Sequence, residues 1–231
     1  MNGRSLSLAA RRGAAALRAG MLERRITAAP PACAGRAELA VLFICHGNIC
    51  RSPLAEGVLR ARLRARGLAG RVHVDSAAIA ADNVGRRADG RARVCAARHF
   101  GSIAGHRARQ FQHQDFEDFD LIVAMDESNL AALVALAASD RDRDRVRLLL
   151  ASAGGGDVSD PVLGTQATFE RAYAEIDRGC ELLAAELAAK VAGETAVKVA
   201  GETAVEVAGE DAVKVACDAA VKRAADAART G

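Results

Sequence analysis

The chain has 231 residues, a formal net charge of +3 and 3% aromatic residues, with no tryptophan. That length holds one ordinary domain with extensions. So few aromatics exclude a stacking platform for nucleic-acid bases and point to a core of Ala, Val and Leu. There is no run of 18 apolar residues, so no transmembrane helix is expected.

The predicted elements, in chain order, fall into three parts. Residues 1–37 carry seven arginines, no lysine and one acid, Glu23. This composition resembles an organelle transit peptide. The simpler expectation is a disordered Ala/Arg-rich extension, or translation starting at Met21. Residues 38–189 alternate strand and helix signals. Val41–Cys45 reads as a buried strand, and Pro53–Arg66 as a helix with proline in its first turn. Arg71–Ser76 alternates polar and apolar as a second strand, and Ala88–His99 looks helical. Leu121–Met125 is a third strand, followed by a helix near Glu127–Ala137, and Val146–Leu150 is a fourth strand. Gly154–Gly164 reads as a loop. Ala167–Lys190 reads as a long helix, with Phe169, Tyr173, Ile176, Cys180, Leu183 and Leu187 at helical spacing. This order predicts an α/β domain: a four-stranded parallel sheet flanked by helices on both faces. Residues 190–231 repeat with a period of eight (Lys190-Val-Ala-Gly-Glu-Thr-Ala-Val, and degenerate copies). That is too short for a solenoid and is not a heptad, so a low-complexity tail, weakly helical or disordered, is expected.

The chemistry concentrates where the first strand ends, at Cys45-His46-Gly47-Asn48-Ile49-Cys50-Arg51-Ser52-Pro53. A loop this short, followed by a helix, turns backbone N–H groups and the positive helix end toward one point, which makes an anion nest. Cys45 sits where an anion's charge would sit, in surroundings that favour a thiolate. Arg51 offers a planar fork for two phosphoryl oxygens. These residues are suited to taking a phosphoryl group onto sulfur. Six cysteines (Cys33, Cys45, Cys50, Cys95, Cys180, Cys217) at irregular spacing form no secreted disulfide framework, and a free nucleophile suits the reducing cytosol. His99, His106 and His113 recur every seven residues, but Gly101 and Gly105 interrupt any helix that would align them as metal ligands.

This signature resembles that of the low-molecular-weight protein tyrosine phosphatases. Met125-Asp126-Glu127-Ser128-Asn129-Leu130, Asp75-Ser76-Ala77 and Asp160-Pro161 with the later Phe169-Glu170 match the same family. The resemblance covers residues 38–189 and implies a cytoplasmic hydrolase of phosphotyrosine proteins and small aryl phosphates, working through a phosphocysteine intermediate. It implies no cofactor or metal, no nucleic-acid or membrane partner, and a monomer or weak dimer. Cys45 would be the nucleophile. Arg51 would clamp the equatorial oxygens. Asp160 would protonate the leaving phenolate and then activate water. His46, Gly47, Asn48, Ile49, Cys50 and Ser52 complete the phosphate loop. Asn48 suits a left-handed position, and the Ser52 hydroxyl can stabilise the sulfur as leaving group. Asp126, which rivals as a plain helix cap, and Ser76 would support the loop. In the family, the pair matching Cys45 and Cys50 can form a protective disulfide on oxidation.

Two departures bear on substrate choice. Where many relatives wall the pocket with aromatics, this chain has Val162 and Leu163 on one side and Ala80-Ala81-Asp82-Asn83 on the other. Alternatives on the same fold are a protein-arginine phosphatase, against which Ile49 argues, and an arsenate reductase, which needs a downstream cysteine pair. A non-catalytic phosphate-binding module would be expected to lack Cys45 or Asp160.

Overall fold

Val41 to Cys45 is an apolar run whose alternate side chains serve two different cores. Val41, Phe43 and Cys45 face one of them, and Leu42 and Ile44 the other. The computed structural model describes residues 37–193. Most of the Ala/Arg-rich extension and of the repeat tail lies outside those residues.

Within them the order is β1 (Leu39–Cys45), α1 (Arg51–Ala65), β2 (Val72–Ala78), α2 (Gly90–His99), α3 (Asp115–Asp118), β3 (Leu121–Ala124), α4 (Glu127–Leu136), α5 (Asp140–Asp144) and β4 (Val146–Leu148). A single 3-10 turn (Ala151–Ala153) and a long helix α6 (166–193) complete it. The sheet order is β2-β1-β3-β4, with every pairing parallel. Because β1 is central, both its faces are covered, which is why it reads as a continuous apolar run.

The first core joins β1 to α1 (Leu54, Val58, Leu59, Leu63), to α2 (Ala92, Cys95, Ala96) and to α6. The second joins β1 to Phe111, Phe116 and Phe119 and to Leu133 of α4. Burying each such large side chain contributes about 1.5–3 kcal/mol. The α/β sheet with helices on both faces is therefore the architecture expected from the sequence.

The boundaries differ in instructive ways. Helix α1 begins at Arg51, two residues before the expected Pro53. Proline is tolerated because it still lies in the first turn, where its missing N–H is not required. Strand β4 ends at Leu148, although the apolar run continues. The Leu149 N–H still donates to the Ala124 carbonyl of β3 at 3.0 Å, and the Leu149 and Leu150 side chains are buried in the first core. Helix α6 passes its expected end at Lys190, and Val191 is 1% exposed. Strand β2 runs past the expected end at Ser76 to Ala78, so Asp75-Ser76-Ala77 lies within it. The short helices α3 and α5 escaped the sequence reading because four or five residues carry no periodicity. Their ends are set by local polar contacts, such as the Ser139–Asp142 capping box of α5.

Candidate active site

The loop 46–50 connects the carboxyl end of β1 to the amino end of α1, so Cys45 stands at the strand end where parallel sheets bind ligands. Helices α2, α4 and α5 are capped by side chains of Asp89, Asp126 and Ser139. Helix α1 has no such cap and no acid in its first turn. Its opening N–H groups are left for an anion.

Asn48 holds the loop. Its φ of +52° is in the left-handed region, which asparagine tolerates better than most residues. Its backbone N–H reaches Cys45 Sγ at 3.3 Å. Its side-chain Oδ1 accepts the Arg109 N–H at 3.0 Å, which orients the amide. The Nδ2 then donates to both Ser52 Oγ and Ser76 Oγ, each at 2.9 Å. With the Ser52 oxygen accepting from Asn48, its single O–H is free to point at Cys45 Sγ, 3.0 Å away. Ser76 passes its own hydrogen to Glu56 Oε2 at 2.5 Å. His106 Nε2 donates to the Asn48 carbonyl at 2.8 Å. Burial pushes the Glu56 carboxyl upward, opposed by Arg60 and by the Ser76 hydroxyl. A polar chain thus runs from the sulfur into the protein.

Arg51 is 3% exposed and bridges two carboxylates. Its Nη1 donates to Asp126 Oδ2 at 2.5 Å and to the Val158 carbonyl at 3.2 Å. Its Nη2 donates to Asp160 Oδ2 at 2.9 Å. Among the described residues its buried Nε has no hydrogen-bond partner. Asp126 has both proposed parts at once: Oδ1 caps α4 through the Asn129 N–H at 2.7 Å while Oδ2 holds Arg51. Burial works to raise its carboxyl, but the Asn129 N–H and Arg51 outweigh that and hold it below the usual carboxylate range. Asp160 is nearly half exposed. Burial, then the charge of Asp89, pushes the Cys50 thiol up to about 12.

A small cavity of about 70 Å³ opens here, lined by Cys45, His46, Gly47, Ile49, Cys50, Arg51, Asn83, Asp160 and Val162. Of the residues expected to replace aromatic walls, Val162 and Asn83 line it. Leu163 does not, and is 97% exposed. A larger cavity of about 670 Å³, lined by Glu56, Arg60, Phe100 and His106 among others, contains none of Cys45, Arg51 and Asp160. Chemistry rather than size marks the site.

The structure brings Cys45, Arg51, Ser52, Ser76, Asn48, Asp126 and Asp160 together. Asp157, three residues upstream of Asp160, instead accepts the Glu127 N–H at 3.1 Å. Glu56, His106 and Arg109 were missed as supports of the loop: His106 and Arg109 reach Asn48 from 58 and 61 positions away, and Glu56 acts through Ser76, 20 positions away, so no local pattern marks them. The three histidines diverge. His106 serves the loop, His113 lies against Phe116, and His99 stacks on Tyr173 and pairs with Glu170.

A family model for low molecular weight phosphotyrosine protein phosphatase matches residues 40–193. A low molecular weight protein-tyrosine-phosphatase of Streptomyces coelicolor is 42% identical over 158 residues, covering 66% of this chain and 96% of that protein. The crystal structure of YfkJ from Bacillus subtilis is 34% identical with a TM-score of 0.63, covering 68% of this chain and 99% of that one. The cysteine-to-serine mutant of the YwlE arginine phosphatase, with its active-site serine phosphorylated, is 26% identical with a TM-score of 0.60, covering 64% of this chain and 95% of that one. With two thirds of its length matched by the family model, the chain belongs to the low molecular weight phosphotyrosine protein phosphatase family.

Proposed function

We propose that this phosphatase hydrolyses phosphotyrosine in proteins, and small aryl phosphates, in two steps on Cys45. In the first, Cys45 Sγ attacks phosphorus, the P–O bond to the phenol breaks, and Asp160 gives its proton to the departing oxygen. In the second, water attacks the phosphocysteine, Asp160 takes the water's proton, and the S–P bond breaks to release inorganic phosphate. Arg51 and the loop N–H groups hold the equatorial oxygens, where charge is greatest in a loose transition state. The Ser52 hydroxyl stabilises the sulfur when it leaves. Asn48, Ser76 and Asp126 hold these groups in place.

One observation carries the reading: the guanidinium of Arg51 is pinned by two carboxylates, while its buried Nε keeps an unused donor. A buried donor without a partner costs about 1–3 kcal/mol, and an oxyanion in the loop would satisfy it. In the free enzyme Asp160 is a partner of Arg51; a phosphoryl dianion competes for that nitrogen and frees Asp160 for the leaving oxygen. The substrate is a phosphoprotein. The buried free thiols of Cys45, Cys50, Cys95 and Cys180 suit a reducing, cytoplasmic setting. Among the described residues no helix is long and apolar enough to cross a membrane.

The test is a matched pair of peptides, one carrying phosphotyrosine and one phosphoarginine, with a rapid alkaline denaturing quench to trap phosphoenzyme. The expected result is faster release from phosphotyrosine and an acid-labile phosphate on Cys45. Preference for phosphoarginine would move the chain toward the activity named for YwlE. Absence of a trapped intermediate under a rapid quench would overturn the covalent route.

A further inference from the structure

The loop that carries Asp160 has no regular secondary structure from 156 to 165, and it follows three glycines with positive φ, Gly154, Gly155 and Gly156. Its first half is tied down. The Val158 N–H donates to the Met125 carbonyl at 2.8 Å, and the Ser159 N–H and hydroxyl both reach Glu175. The second half, residues 161–164, has two internal contacts: Val162 N–H to Asp160 Oδ1 and Gly164 N–H to the Pro161 carbonyl. Among the described residues, its hydrogen bonds to another element both come from one side chain. Arg91 of α2 donates from Nη2 to the Val162 carbonyl at 2.9 Å and from Nη1 to the Gly164 carbonyl at 2.5 Å.

We propose that Arg91 is the positioning residue that sets Asp160 against the leaving oxygen; this rests on Asp160 as the acid of the proposed function. Arg91 is itself immobilised on three sides. Its Nε and Nη2 grip the two oxygens of Asp89 at 3.0 and 2.8 Å. Its guanidinium lies 4.6 Å from the centre of the Phe169 ring, a cation–π contact. Its backbone N–H is capped by the same Asp89, 2.8 Å away. The Asp89 N–H in turn donates to the carbonyl of Ile49, in the phosphate loop, at 2.8 Å. The chain Ile49–Asp89–Arg91–Val162 therefore joins the two rims of the pocket, since Ile49 and Val162 both line it. A guanidinium does this with one planar fork: two donors on a carboxylate and two on carbonyls pointing the other way. A lysine ammonium keeps the charge but cannot span both sets. Asp160 is two residues from Val162 and shares a hydrogen bond with it, so a loop released at Val162 displaces the acid and not the nucleophile.

The expected signature depends on the leaving group. In Arg91→Lys and Arg91→Met, kcat/KM for a phosphotyrosine peptide should fall about 10- to 100-fold, less than the full 10²–10⁴ that general-acid help is worth, because the acid is displaced and not removed. For p-nitrophenyl phosphate, whose leaving group needs little protonation, it should fall by no more than about threefold. The Ki of inorganic phosphate as a competitive inhibitor should be unchanged, because the phosphate loop is intact. In an Asp160→Asn background the same Arg91 substitutions should add less than about twofold, since residues acting as a unit are not additive. Arg91→Lys serves as the folding control for Arg91→Met, with thermal unfolding measured on both. Equal losses on the two substrates, losses that multiply with Asp160→Asn, or no loss in either variant would each overturn the assignment. If Asp160→Asn alone shows no dependence on leaving group, the acid reading fails first and is seen to fail separately.

Discussion

At the scale of single residues, Asn48 shows how a loop of this length is held to one conformation. It has a left-handed backbone, and its side chain makes three hydrogen bonds, to Ser52, Ser76 and the Arg109 N–H. Alanine would lose all three bonds and tolerate the left-handed φ less well, whereas glycine would lose the bonds alone. Net hydrogen-bond contributions of about 1 kcal/mol each put Asn48→Gly about 3 kcal/mol below wild type in unfolding free energy, with Asn48→Ala lower still. Urea denaturation of both variants measures the difference, and a smaller loss for alanine would contradict the backbone argument. Cys45→Ser separates binding from chemistry. The anion nest is mainly backbone, so phosphate or vanadate binding should persist while turnover falls by at least about a hundredfold, several kcal/mol of barrier. Isothermal titration and a turnover assay read the two parts independently.

Secondary elements explain why some substitutions should act through packing alone. Helix α6 passes close to the end of β4 at Gly179, where a methyl group would stand 2.6 Å from Leu149 Cγ. Overpacking costs about 1–3 kcal/mol, and alanine returns about 1 kcal/mol of helix propensity over glycine. Gly179→Ala should therefore lose up to about 2 kcal/mol with kcat/KM unchanged; a raised denaturation midpoint would show that Leu149 moves freely aside. The N-terminus of α1 sets a second expectation. Cys50 occupies its N-cap position, buried and without a side-chain cap hydrogen bond, with its thiol pushed up to about 12. At neutral pH such a thiol is almost wholly protonated, and its thiolate fraction grows tenfold with each pH unit. Closure of a Cys45–Cys50 disulfide after peroxide treatment should therefore speed up about tenfold from pH 7 to pH 8. Thiol trapping and mass spectrometry follow it, with Cys50→Ser as the variant that cannot close. A rate independent of pH would mean Cys50 is not the attacking thiol.

For the molecule as a whole, the question is where the folding unit ends. The family match ends at residue 193, and Val191 is 1% exposed against the first core. Arg71 also donates to the Val191 carbonyl at 3.3 Å, beside its ion pair with Glu38. We expect residues 37–193 alone to fold and to keep kcat/KM within about threefold. A chain stopped at 189 should be less stable by about 1.5–3 kcal/mol, the value of burying one valine-sized side chain. Differential scanning calorimetry of the two truncations decides it. If both melt alike, the last turn of α6 contributes nothing.

What was legible in the sequence was local. The alternation in β1, the spacing along α6 and the run from Cys45 to Ser52 each depend on neighbours within a few residues, so pattern alone sufficed for the strand–helix order and the nucleophile loop. The same locality fails at boundaries, where Leu149 and Leu150 look like strand but turn their side chains into the core. It fails more completely for contacts across the sheet. Asp126 and Asp160 are 75 and 109 residues from Arg51 and were placed near it only by resemblance. Their meeting depends on the parallel pairing of β3 beside β1 and of β4 beside β3, which puts the segments after all three strands at the carboxyl end of the sheet. Nothing local marked Glu56, His106, Arg109 or Arg91, because a polar side chain shows no periodicity that says which buried group it will satisfy. Tertiary structure decided those partners, for the physical reason that a hydrogen bond is chosen by distance in space, and distance in space follows strand order rather than sequence.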